Sequence, residues 1–127
     1  MNEVPNFDHG AIARLQRLGG DAFTLKMIQL FLDYTRTKIE EARQAQADGN
    51  LLAVEHAVHP IKSSAGNVGA SRLRDLATEI EALAQAKNND RLPDLIQDLA
   101  KSFAAVSAEL EKVRGSLSSV AMSPDSK

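Results

Sequence analysis

Residues 51–68 read LLAVEHAVHPIKSSAGNV, and the spacing of their apolar side chains decides the fold. Leu51, Val54, Val58, Ile61, Ala65 and Val68 follow one another by steps of three, four, three, four and three. That rhythm puts them on one face of a helix and makes the face a bundle seam, whereas a strand would alternate with period two. Asn50 stands where an N-cap is wanted, and Gly69 follows as a stop.

Working outward, the same three-four spacing predicts four more helices. The first covers 8–18, with Asp8 as N-cap, Ile12, Leu15 and Leu18 on one face, and Gly19 ending it. The second covers 21–47, with Phe23, Met27, Leu30, Phe31, Tyr34 and Ile39 inward and Glu40, Glu41 and Arg43 in water. The others cover 71–86 and 90–114, and Pro93 falls in a first turn, where its missing N–H costs little. Four long helices joined by short turns predict an all-α, up-down antiparallel four-helix bundle. The segment 8–18 is too short to be a full member and is expected to cap one end. The bundle domain is placed at 1–116, with 117–127 as a disordered tail.

Composition removes several function classes. A chain of 127 residues suits one domain and can bury a core without staples. It has no cysteine, so disulfides, zinc–thiolate sites and thiol catalysis are excluded. Its formal charge of −2 argues against a nucleic-acid partner. No signal segment and no apolar run of membrane length is present, so no membrane association and a cytoplasmic location are expected. A monomer is expected, and Met1 with a short polar tail leans towards a free-standing protein.

The 51–68 helix also carries the candidate chemistry. His59 points roughly 130° from the seam centre, into water. On the same arc lie Leu52, Glu55, Lys62, Ser63 and Gly66. Ser63, Ser64 and Gly66 are poor helix formers, and Gly66 alone costs about 1 kcal/mol against alanine. Pro60 costs about 3 kcal/mol if nothing compensates. It is expected to kink the helix and to leave the His56 carbonyl without its helical partner. Two readings stay open on these residues alone: a poorly optimised helix, or a helix whose local rules are broken for function. Leu52 is either a docking residue or covered by a neighbouring helix. His56 reads as a solvated surface histidine rather than a second acceptor, because it has no cation three residues on, and His9 as a first-turn residue of the first helix without a function.

Residues 59–70, HPIKSSAGNVGA, resemble the signature of histidine-containing phosphotransfer (HPt) domains: His, any, Leu, Lys, Gly or Ser, Ser, small, small, Asn, aliphatic, Gly, Ala. The likeness extends to Phe7-Asp8, Leu18-Gly19-Gly20-Asp21, Asp48-Gly49-Asn50-Leu51 and Leu76-Ala77-x-x-Ile80-Glu81, so it covers about residues 7–114. It implies that His59 accepts a phosphoryl group from a receiver-domain aspartyl phosphate and passes it to another receiver. It implies that Lys62 balances the phosphoryl charge, and that small residues at Ser63 and Gly66 let the partner approach. Leu52, Glu55, Ser63 and Gly66 are the expected docking positions. The implied partners are response-regulator receiver domains and a hybrid sensor histidine kinase. No intrinsic cofactor is expected, and Mg2+ would come with the receiver. Ser63 where glycine is usual, and Pro60 after the histidine, depart from the common pattern. They keep a second reading open, a degenerate module that docks receivers without taking phosphate.

Two other readings are weaker. Di-metal bundles use paired Glu-x-x-His motifs. Here Glu55 precedes His59 by four positions and there is no second pair, so no metal site is expected. Autokinase activity would need an ATP site, and no glycine-rich phosphate loop is present.

Overall fold

The computed structural model describes residues 7–121, which form four helices: α1 His9–Ala47, α2 Leu51–Asn67, α3 Ser71–Gln85 and α4 Leu92–Ala121. Among the described residues there is no strand, only an isolated bridge between Phe7 and Ala70. Neighbours run antiparallel. Glu55 meets Gln85 and His59 meets Glu81 across α2 and α3, while Gln29 meets Arg114 across α1 and α4. The chain is therefore an up-down bundle with one continuous core.

The seam on α2 is where the spacing puts it: Val54, Val58, Ile61 and Ala65 are fully buried and Val68 nearly so. Asn50 caps the helix by accepting a hydrogen bond from the Ala53 N–H at 3.0 Å. Helix α2 runs through Pro60 without ending there. Proline has no N–H, so the His56 carbonyl forgoes its ordinary helical partner.

Helix α1 keeps one expectation and corrects three. The expected short N-terminal helix is present, since α1 is two helical stretches, 9–19 and 21–47, separated at Gly20, which alone leaves helical geometry (φ 86°, ψ −176°). The break is at Gly20 and not Gly19. Thr24 steadies the restart by donating its hydroxyl to the Gly20 carbonyl at 2.8 Å. Leu18, expected inward, is 77% exposed at this corner. The inner face of the longer segment is turned in part: Phe31 and Ile39 are inward as expected, but Phe23, Leu30 and Tyr34 are not. Thr24, Ile28, Phe31, Leu32, Thr35 and Ile39 are buried, while Phe23, Leu30 and Tyr34 are exposed. Both stripes have helical spacing, about 100° apart on the helix. Spacing alone cannot choose between them.

Helix α4 begins at Leu92, two residues later than expected, and passes Gly115 to reach Ala121. The segment 117–121 is thus helical, and the rest of the expected tail, 122–127, lies outside the described residues.

The α2–α3 turn is fixed from the N-terminal side. The Asp8 N–H donates to the Gly69 carbonyl at 2.7 Å. Gly69 has φ +83°, and a Cβ there would stand 2.2 Å from the Asp8 carbonyl oxygen. Glycine is therefore required twice over, by conformation and by close approach. Gly69→Ala should lower the unfolding free energy by about 2–3 kcal/mol. Gly49→Ala, at φ +75° with nothing within 4 Å, should cost only about 1 kcal/mol. Urea unfolding compares them, and equal losses would show that the Asp8 contact yields.

Candidate functional site

His59 stands midway along α2 with its side chain 67% exposed. Opposite it on α3 is Glu81, whose side chain is only 9% exposed. The imidazole Nδ1 lies 2.5 Å from the Glu81 Oε2. An ionised carboxylate only accepts, so the proton of this bond sits on Nδ1. The neutral ring then has a bare Nε2, which carries the nucleophilic lone pair. One turn along α2, the Lys62 ammonium donates to the other carboxylate oxygen, Oε1, at 2.6 Å. One buried carboxylate thus holds both residues that the sequence singled out.

Glu81 is ionised because its partners outweigh its surroundings. Burial pushes its carboxyl up, but the hydrogen bonds from Lys62 and His59, with the attraction of their charges, pull it below its ordinary value of 4.5. Charge-assisted bonds of this kind are short and about twice as strong as neutral ones.

Glu81 was quoted above only as part of a resemblance, without a role. Its signal in the sequence is a carboxylate on the wrong arc. Leu73, Leu76, Ala77, Ile80 and Ala84 form the inner face of α3, and Glu81 stands among them, four residues after Ala77. A buried charge at such a position needs a partner, and periodicity does not say which.

A cleft of about 300 Å³ opens beside His59, lined by Glu55, His56, Glu81 and Gln85. Glu55 accepts a hydrogen bond from Gln85 at 2.8 Å, which turns it towards α3. On the other flank of α2 lies an apolar groove of about 230 Å³. Met27, Leu30 and Tyr34 of α1 line it together with Ser64, Asn67 and Val68 of α2. These α1 side chains are among those expected in the core. Among the described residues, no group of three or more His, Asp or Glu side chains is placed to hold a metal ion. None of the described helices is long and apolar enough to cross a membrane.

A sequence model of the family described as Hpt domain matches residues 26–123, well over half of the chain. The chain belongs to the Hpt domain family. The family carries phosphoryl groups on histidine in phosphorelays. The fold is also similar to the crystal structure of histidine-containing phosphotransfer protein B from Pseudomonas aeruginosa PAO1. That match has a TM-score of 0.84 at 24% identity and covers 89% of this chain and 97% of the other. Among curated protein sequences, none matches the chain.

Within this Hpt domain the remaining candidates spread along α2. Leu52 is 62% exposed, so no neighbouring helix covers it. Ser63 is exposed, and Gly66 is half-buried. A Cβ on Gly66 would meet only the Arg74 Cδ, at 4.0 Å, so the glycine leaves open surface above it. His56 is exposed and lines the same cleft as His59. His9 packs edge-on against Phe7 in another part of the chain.

Because Glu81 is held below its ordinary value, its stabilising contribution is complete above pH 4.5 and is lost as pH falls through the lower folded value. The Hpt domain should therefore weaken on acidification below pH 4.5. Glu81→Gln should be less stable at pH 7 and should lose less on going to pH 3.5. Urea unfolding at the two pH values tests this, and an equal acid loss in both proteins would contradict it.

Proposed function

We propose that this protein is a phosphoryl carrier whose acceptor atom is Nε2 of His59. The Nε2 lone pair attacks the phosphorus of a receiver's aspartyl phosphate. The acyl-phosphate P–O bond breaks, and its electron pair leaves on the receiver's carboxylate. The ring gains positive charge while its Nδ1–H still faces Glu81, so the buried carboxylate stabilises the phosphorylated form. The reverse attack, by a second receiver's aspartate, regenerates the neutral ring. A loose, charged transition state of this kind is helped mainly by positioning and charge balance. The observation that carries the reading is the 2.5 Å bond between Nδ1 and Glu81, with the opposite side of the ring exposed.

The partners in this reading are receiver domains, with a hybrid sensor kinase as the upstream source, in the cytoplasm. Mg2+ comes with the receiver. The protein acts as a monomeric intermediate and has no kinase activity of its own. The His59–Glu81–Lys62 contacts favour a carrier over a module that only docks. Receivers dock on the exposed arc of α2 and on the neighbouring groove, through Leu52, Glu55, Ser63 and Gly66 together with Leu30 and Tyr34 of α1. The exposed apolar residues there suit a partner that buries apolar surface.

Incubation with a phosphorylated receiver should put an acid-labile, base-stable label on the wild-type protein and none on His59→Gln. Label surviving in His59→Gln would overturn the reading. Leu30 is 52% exposed. Leu30→Asp should weaken receiver binding roughly tenfold while changing stability by no more than about 0.5 kcal/mol. Calorimetric titration with a receiver checks this, and unchanged affinity would put docking elsewhere.

A further inference from the structure

The cleft beside His59 holds one group that the carrier reading leaves without a task. His56 lies three residues earlier on α2, one helical turn back and on the same side of the helix. Side chains on a helix lean towards its N-terminus, so the His59 ring extends over the turn that carries Glu55 and His56. The lining of the cleft agrees: Glu55, His56 and His59 come from α2, Glu81 and Gln85 from α3. Its volume of about 300 Å³ leaves room for a phosphoryl group beside the ring.

The charges around that space are unfavourable to such a group. Glu81 is ionised, and Glu55 adds a second carboxylate one turn before His59. A phosphoryl group on Nε2 brings further negative charge next to both, and like charges this close oppose one another unless a donor intervenes. Lys62 is bonded to Glu81 at 2.6 Å and does not line the cleft. The Gln85 amide is engaged by Glu55 at 2.8 Å. His56 is exposed, and among the described residues its imidazole has no hydrogen-bond partner. A neutral imidazole always keeps one N–H to donate.

We propose that His56 is a phosphoryl-binding residue: its ring N–H donates to an oxygen of the phosphoryl group carried on Nε2 of His59. The bond offsets the repulsion from Glu55 and Glu81 and favours the phosphorylated form. His56 takes no phosphoryl group itself. The assignment rests on the carrier reading and adds a ligand for the same phosphoryl group.

The test is the equilibrium constant for phosphoryl exchange between a phosphorylated receiver and the full-length protein. Between free species this constant does not depend on how tightly the two dock, so it reports the surroundings of the phosphoryl group alone. His56→Leu keeps bulk but has no donor, and should lower the constant about fivefold. His56→Gln keeps an N–H donor and should stay within about twofold of the wild type. An unchanged or raised constant in His56→Leu would overturn the proposal. So would a glutamine variant as low as the leucine one, because packing and not a donor would then be at work. Phosphoramidate, which needs no receiver, separates the two levels. No label on the wild type would overturn the carrier reading and this assignment with it. A labelled wild type with an unchanged leucine variant would overturn the His56 assignment alone.

Discussion

The Glu81 carboxylate is the point on which the site depends. It is almost wholly buried, and both its oxygens are occupied, one by His59 and one by Lys62. A buried carboxylate is unfavourable unless paired and hydrogen-bonded, so the three residues stand or fall together. The His59 ring is held on one side and left in water on the other. A carrier needs that combination: a fixed ring to aim the lone pair, and an open face for the partner.

The scaffold around this point tolerates a helix that is poor in its own right. Pro60, Ser63, Ser64 and Gly66 all weaken α2 locally. Helices in proteins are stabilised mostly by packing of their apolar face, and α2 has Val54, Val58, Ile61 and Ala65 fully buried. The seam secures the helix, which frees the opposite arc for small residues and an exposed histidine. The turn after α2 is fixed separately, by Asp8 against Gly69. Residues on the outer arc therefore answer to function more than to folding.

How far the sequence disclosed this differs from element to element. On α2 one apolar stripe has no rival, so its spacing settled which face is inward and put His59 and Lys62 on the other. On α1 two stripes compete. Phe23, Leu30 and Tyr34 lie outside, while Thr24 and Thr35 are buried alongside Ile28, Phe31 and Leu32. Period alone does not reveal which stripe the other helices will cover. Glu81 was hidden for a different reason. Its partner lies 22 residues earlier on another helix, and a distant pairing leaves no trace in local periodicity. Only the oddity of a carboxylate on an apolar arc pointed to it.

The central claim is that Glu81 occupies Nδ1 and leaves Nε2 as the acceptor. Its most direct test is two-dimensional 1H–15N and 31P NMR of the phosphorylated protein, which distinguishes the two isomers of phosphohistidine. The account predicts a single phosphoryl group bonded to Nε2 of His59, with Nδ1 still protonated. A phosphoryl group on Nδ1, or on a residue other than His59, would contradict it.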